Sequence, residues 1–176
     1  SRGWSGYTRP MGATDTMEIF FEHLNEGDVD AVVALMDERV EMRVHVANRS
    51  AVAPSPRVDH YFALDELDAF WASADFFVVS VPLAESTRGI VGERAFAAMR
   101  PSAVIVNVGR GATIDERALY DALASHRIAG AIVDTWYRYP SAQDPKPHPS
   151  ALPFHTLPNL VMTPHMSGWT AGTIRR

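Results

Sequence analysis

The chain has 176 residues, no cysteine and a formal net charge of -5, with 47% hydrophobic and 21% charged residues. That is the make-up of one globular domain, long enough to bury a core without covalent staples. It excludes disulfides and cysteine-ligated metal centres and argues against nucleic-acid or anionic-membrane partners. No apolar run approaches the roughly 18 residues of a membrane span. Ser1-Arg2-Gly3-Trp4 has neither an initiator methionine nor the apolar core of a signal peptide, and Ile174-Arg175-Arg176 reads as the start of a helix. Both ends therefore read as cut, and a cytoplasmic chain without a metal is expected.

Residues 1–13, rich in Gly, Ser, Arg and Pro, carry no periodic signal and are expected to form a mobile arm. Met17, Phe20, Phe21 and Leu24 share one helical face, with Asp15 and Glu18 placed to cap it. Gly27 ends that helix, and Asp28 caps a second one carrying Val29, Val32, Val33 and Met36. Residues 14–39 are thus expected to form a helical hairpin. From Val40 to Val46 the period becomes two, as in a half-buried strand. A proline-containing link follows, and then helices and strands alternate. Helices are predicted over 65–72, 91–99 and 115–125, and strands over 76–81, 103–108, 128–135 and 160–162. Uninterrupted apolar strands between helices predict a parallel sheet covered on both faces with right-handed crossovers. Residues 136–158 hold six prolines and read as a long ordered loop or flap.

In an open parallel sheet, ligands sit beyond the carboxyl ends of the strands. Arg110 lies at such an end, between Gly109 and Gly111, which permit close approach to a ligand and positive φ. Its guanidinium can grip a carboxylate with two parallel N–H bonds and polarise a neighbouring carbonyl. A plain surface arginine in a strand–helix turn has the same local pattern. His165 follows Pro164 at another strand end and precedes Ser167-Gly168. Its imidazole exchanges protons near neutral pH, as alcohol–ketone interconversion requires. That context separates it from the other histidines, His148 and His155 among them. Asp134 ends the predicted strand 128–135 and can accept a hydrogen bond from a nicotinamide carboxamide; a helix cap or turn aspartate would look alike. Asn48-Arg49-Ser50 follows the strand ending at Val46, where dinucleotide folds place either an acid for the ribose hydroxyls or an arginine for a 2′-phosphate. Arg49 suits NADP better than NAD.

Together these motifs resemble the nucleotide-binding domain of the D-isomer-specific 2-hydroxyacid dehydrogenases over roughly residues 42–176. The resemblance rests on the run from Asp75 to Leu83 with Thr87, on Asn107-Val108-Gly109-Arg110-Gly111, on Gly130-Ala131-Ile132-Val133-Asp134 and on Thr163-Pro164-His165. It implies an α/β fold with an incomplete Rossmann-like parallel sheet, and hydride transfer between NAD or NADP and a 2-oxo or 2-hydroxy acid. Arg110 would bind the substrate carboxylate and His165 would be the acid/base. Val81, Pro82, Thr87, Val108, Gly109 and Asp134 would contact the cofactor, joined by Asn48, Arg49 and Ser50. A homodimer is the family's usual assembly.

Three departures stand out. Tyr139 occupies the place of the glutamate that pairs with the family's histidine. No G-x-G-x-x-G turn occurs in the 176 residues. The family's separate substrate domain has no counterpart here. Residues 13–46, from Phe20-Phe21-Glu22-His23-Leu24 to Arg39-Val40, are similar to the opening of a SnoaL-like cone. The expectation is a truncated or rearranged dehydrogenase; the alternatives are a non-catalytic NAD(P)-binding module of corepressor type, a SnoaL-like isomerase or cyclase fragment, and one Rossmann-like domain with a divergent first helical segment.

Overall fold

The computed structural model describes residues 43–48 and 55–168, all within the second of two units into which the chain divides, Arg43–Arg176. The expected arm, the hairpin over 14–39, and Arg49 and Ser50 lie outside the described residues. The strand elements are β1 (His45–Ala47), β2 (His60–Phe62), β3 (Phe76–Val79), β4 (Val104–Asn107), β5 (Gly130–Val133) and β6 (Leu160–Met162). The α-helices are α1 (Leu67–Ala72), α2 (Glu93–Ala98) and α3 (Glu116–Ala124).

Strands β3-β4-β5-β6 form one fully parallel sheet in chain order, with α2 and α3 as the β3–β4 and β4–β5 crossovers. Parallel neighbours need such crossovers, because a short turn cannot return the chain to the same end of the sheet. Each strand and helix predicted in this part is two to four residues shorter than expected, with the start at Phe76 and the end at Ala72 as predicted, except β6, which matches throughout. The three-residue β2 follows a proline link and is too short to show a two-residue period; sequence reading misses it.

Phe77, Val79, Ile105, Ala131 and Val133 point to the helical side, where they pack with Trp71, Phe96, Leu119 and Leu123. The opposite face presents Phe76 and Val78, which are 69% and 67% exposed. Among the described residues helices therefore cover one face, not the two expected from the apolar strand runs. The alternation along β3 explains the difference: successive side chains point to opposite faces, and only Phe77 and Val79 meet a helix.

Local chemistry holds the layers. The Asp115 carboxylate accepts from Ala118 N (2.8 Å) and caps α3. That helix ends with His126 at φ 53°, where His126 N donates to Leu123 O (3.1 Å) and Arg127 N to Ala122 O (2.8 Å). This pair of bonds is a Schellman closure. The Arg127 guanidinium reaches back to Ala97 O and Met99 O, satisfying carbonyls at the end of α2. The proline-rich segment is ordered, as expected. Its Phe154 is 1% exposed and stacks among Tyr120, Trp136 and Tyr137.

Strand β1 pairs with β2 in a separate parallel sheet. The family resemblance implies that the strands at 40–46 and 76–81 pair directly here, or that the N-terminal part detaches or fills the gap between them. They do not pair among the described residues. Aromatic rings link the two sheets instead, from Phe62 to Phe70 (5.6 Å) and from Phe70 to Phe77 (5.6 Å). His45 Nδ1 also lies 2.9 Å from Ser73 Oγ.

Ile105 is fully buried at the centre of the helix-facing core. Ile105→Ala is expected to cost about 2–5 kcal/mol through lost transfer energy and the cavity left behind. Urea unfolding measures this; a loss under about 1 kcal/mol would contradict the assigned core.

Candidate active site

The carboxyl ends of β3, β4, β5 and β6 lie side by side because all four strands run the same way. At the end of β4, the Asn107 side chain staples the following turn. Its Oδ1 accepts from Gly109 N (3.1 Å) and its Nδ2 donates to Arg110 O (3.1 Å). Thr113 Oγ1 donates to the same carbonyl (2.6 Å). Gly109 N also bonds Val79 O (3.1 Å), joining this turn to β3.

The two glycines beside Arg110 do something other than expected. Among the described residues Gly89 is the glycine with positive φ, so neither Gly109 nor Gly111 needs the left-handed region. Their small size admits protein backbone. A Cβ on Gly109 would stand 2.9 Å from Val81 O, and one on Gly111 would stand 2.3 Å from Trp136 O. The turn thereby presents Arg110 at the surface, with Nη1 donating to Gly109 O (2.8 Å).

At the end of β5, Asp134 is 2% exposed and accepts from three donors of the segment after β6. These are Thr163 Oγ1 (2.5 Å), Met166 N (2.9 Å) and Ser167 N (3.0 Å). Burial pushes the carboxyl up, but hydrogen bonds from the Ser167 and Thr163 side chains and from the Ser167 and Met166 amides outweigh it, and the pKa falls to about 2. Trp136 Nε1 adds a bond to Thr163 O (2.9 Å). Held between these contacts, His165 is half-buried and has φ 58°. Tyr139 meets it ring to ring, with centroids 5.5 Å apart and planes at 53°. The Tyr139 hydroxyl accepts from Trp136 N (3.1 Å). The residue at the expected glutamate position therefore packs against the imidazole with its ring, and its oxygen is bonded to the backbone.

The other sequence-derived candidates are placed as follows. Val81 and Pro82 continue from β3, where Thr87 Oγ1 donates to Pro82 O (2.7 Å) and accepts from Ala84 N (2.8 Å). Thr87 thus closes the loop that it was expected to lend to a cofactor. Val108 lies in the Arg110 turn. Asn48 is exposed beyond β1 in the two-stranded sheet, away from the four-strand edge that gathers Arg110, Asp134 and His165. Sequence reasoning missed Asn107, Trp136 and Thr163 as positioning groups. A polar Asn closing an apolar strand was the available signal for the first; the indole bond to Thr163 had none.

Residues 26–167 match the model of a protein family described as D-isomer specific 2-hydroxyacid dehydrogenase, NAD binding domain. The match opens upstream of the residue-42 start that the motifs implied. A mitochondrial formate dehydrogenase of Hordeum vulgare is 40% identical over 106 residues, covering 60% of this chain and 26% of that protein. Glyoxylate/hydroxypyruvate reductase B of Pectobacterium carotovorum is 37% identical over 108 residues, covering 61% and 32%. The crystal structure of a D-isomer specific 2-hydroxyacid dehydrogenase from Xanthobacter autotrophicus Py2 is similar with a TM-score of 0.64 and 30% identity, covering 80% of this chain and 44% of that one. An NADPH-dependent glyoxylate/hydroxypyruvate reductase from Sinorhizobium meliloti, in complex with NADP and malonate, gives a TM-score of 0.63 at 27% identity, with 81% and 41% covered. The chain spans less than half the length of these relatives.

The depressed pKa of Asp134 makes a signed prediction. Its stabilising contribution is fully present above the unfolded-state pKa of about 4 and is lost as pH falls through about 2. It amounts to about 2 kcal/mol at neutral pH. Urea unfolding from pH 5 to pH 2 is expected to show a steeper loss for the wild type than for Asp134→Asn. Parallel curves would contradict the assignment.

Proposed function

This chain belongs to the family of D-isomer specific 2-hydroxyacid dehydrogenases through its NAD-binding domain, and we propose that it serves hydride transfer between a nicotinamide dinucleotide and a small 2-oxo or 2-hydroxy acid. The observation that carries the proposal is an exposed arginine beyond β4 and a half-buried histidine beyond β6, on one edge of a parallel sheet with β5 between them, each on a turn clamped by buried side chains. Arg110 grips the substrate carboxylate and polarises the adjacent carbonyl. His165 donates the proton that the carbonyl oxygen takes up on reduction, and accepts it back on oxidation. The bound nicotinamide supplies or accepts the hydride.

Val81, Pro82, Val108 and Gly109 are the residues assigned to hold the cofactor, because they form the open backbone beyond β3 and β4. They suit the nicotinamide end. The diphosphate end fits less well: the sequence contains no G-x-G-x-x-G turn, so the close backbone amides and helix terminus that bind a diphosphate in this fold are not supplied by that motif. Asp134 already accepts three hydrogen bonds from the protein, which leaves about one acceptor direction for a carboxamide. NADP is preferred over NAD on the strength of Arg49; the related Sinorhizobium meliloti reductase is NADPH-dependent and was crystallised with NADP.

A second reading, a dinucleotide-binding module without turnover, is favoured by one feature. Tyr139 stands where the family's catalytic acid is expected, and its ring cannot hold an imidazolium charged as a carboxylate would. The two readings separate on Arg110→Ala. For the enzyme, this change is expected to lower NADPH-dependent reduction of glyoxylate or hydroxypyruvate about 10²–10³-fold while leaving dinucleotide affinity within about twofold. Unchanged turnover in the variant would sink the role of Arg110. A wild type that binds NADPH and reduces no 2-oxo acid would favour the module.

A further inference from the structure

We propose that the cleft in the proline-rich segment is an anion site, in which Arg138, His148 and His155 together bind the phosphoryl head of a small phosphate monoester. The site is not the edge assigned to the 2-oxo acid, since neither Arg110 nor His165 lines it.

The cleft has a volume of about 290 Å³, close to the lower bound of about 300 Å³ for small-molecule sites. Arg138, His148 and His155 line it, and no Asp or Glu does. In a chain of net charge -5, a concave lining with basic groups and no acid favours anions. Among the described residues, none of these three side chains makes a hydrogen bond or ion pair with the rest of the chain. Arg94, Arg100 and Arg117, by contrast, each hold an acid.

The frame that carries the three groups is fixed before any ligand arrives. Tyr137 N and Arg138 N both donate to Pro149 O (3.2 and 3.0 Å), which pins the residue after His148 to the backbone of Arg138. Ser150 Oγ donates to Glu116 Oε1 (2.5 Å) and accepts from Leu152 N (2.9 Å), and Ala151 N donates to the same carboxylate oxygen (3.0 Å). The hydroxyl on the cleft and the acid behind it are therefore spent on the frame. Thr156 N and Oγ1 both donate to Pro153 O (3.0 and 2.8 Å), closing the turn that bears His155. Prolines 147, 149 and 153 fix φ along the same stretch. A site held in this way loses little conformational freedom on binding.

The donor set selects the head group. A guanidinium offers a planar fork of N–H donors and each imidazole a directed N–H. One such fork fills a planar carboxylate, whereas three donors from separate turns suit the three oxygens of a phosphoryl group. Leu152, Pro153 and Met162 supply an apolar wall for the ester. A metal is disfavoured: among the described residues no group of three His, Asp or Glu side chains stands ready for one, and Arg138 repels a cation.

The test titrates the full chain at pH 7 with phenyl phosphate and with inorganic phosphate at constant ionic strength, reading the imidazole Cε1–H signals. His148→Gln and His155→Gln assign the two signals. Both are expected to shift saturably, and phenyl phosphate is expected to bind more tightly than inorganic phosphate because its ring lies on the apolar wall. Arg138→Gln is expected to weaken phenyl phosphate binding about 10–100-fold, as loss of a charged hydrogen bond does. Shifts that grow without saturating, or that sodium chloride reproduces, overturn the proposal. So does binding that Arg138→Gln leaves unchanged, or Zn²⁺ moving both signals where phosphate moves neither. Excess NADPH identifies the source of the phosphoryl group: the phenyl phosphate shifts persist if the site is separate, and their loss assigns the cleft to the dinucleotide and overturns the proposal. None of these readings uses turnover, so the result stands whether or not Arg110 and His165 serve hydride transfer.

Discussion

The backbone of Gly111 lies against the backbone of Trp136 so closely that a methyl group would fall 2.3 Å from Trp136 O. No side chain fits there without moving one strand end away from the other, and protein interiors yield little to such overpacking. This contact brings the turn after β4 against the segment after β5. Through it the Arg110 turn and the Trp136 indole become parts of one assembly. Trp136 in turn bonds Thr163, and Asp134 bonds both sides of His165. The arginine and the histidine, contributed by different strands, thus share a continuous set of short-range constraints. Loss of any one link would loosen both.

The same assembly explains why the functional groups sit where they do on an otherwise ordinary parallel sheet. Parallel strands leave their last carbonyls and amides pointing at one edge, and the turns there must find partners for them. Here buried side chains of the strands do much of that work: Asn107 for the Arg110 turn and Asp134 for the His165 turn. Arg110 is exposed and bonded to its own preceding carbonyl, a weak arrangement that a carboxylate ligand can displace. Tyr139 belongs to the same edge and packs its ring on the imidazole, so it shapes the histidine by contact where an acid would do so by charge.

Much of this was legible in the sequence. The apolar runs at Phe76, Val104, Gly130 and Leu160 are continuous enough to mark parallel strands, and Asp115 announces the start of α3 by its capping position. Arg110 and His165 stood out because glycine and proline punctuate the chain around them. Other features were hidden for physical reasons. A three-residue strand such as β2 has no period to detect. The role of Gly109 and Gly111 looked conformational, but it is steric, and the backbones they admit are distant in sequence. The bonds by which Thr87 locks its own loop, to Pro82 O and Ala84 N, have no signature in the sequence. Asp134 looked like a free acceptor, because nothing in a linear sequence tells how many donors will converge on a carboxylate. The exposed Phe76 and Val78 were equally invisible, since a strand buried on both faces and one buried on a single face are written with the same residues.

The central claim is that the edge formed by β4, β5 and β6 binds a 2-oxo acid between Arg110 and His165. A crystal structure of the chain with NADPH and oxamate, an unreactive 2-oxo acid isostere, tests it most directly. The account predicts that the Arg110 guanidinium leaves Gly109 O to take the oxamate carboxylate in a paired fork, with the His165 imidazole within hydrogen-bond reach of the oxamate carbonyl oxygen. Oxamate bound elsewhere, or bound with Arg110 still on Gly109 O and His165 out of reach, would contradict it.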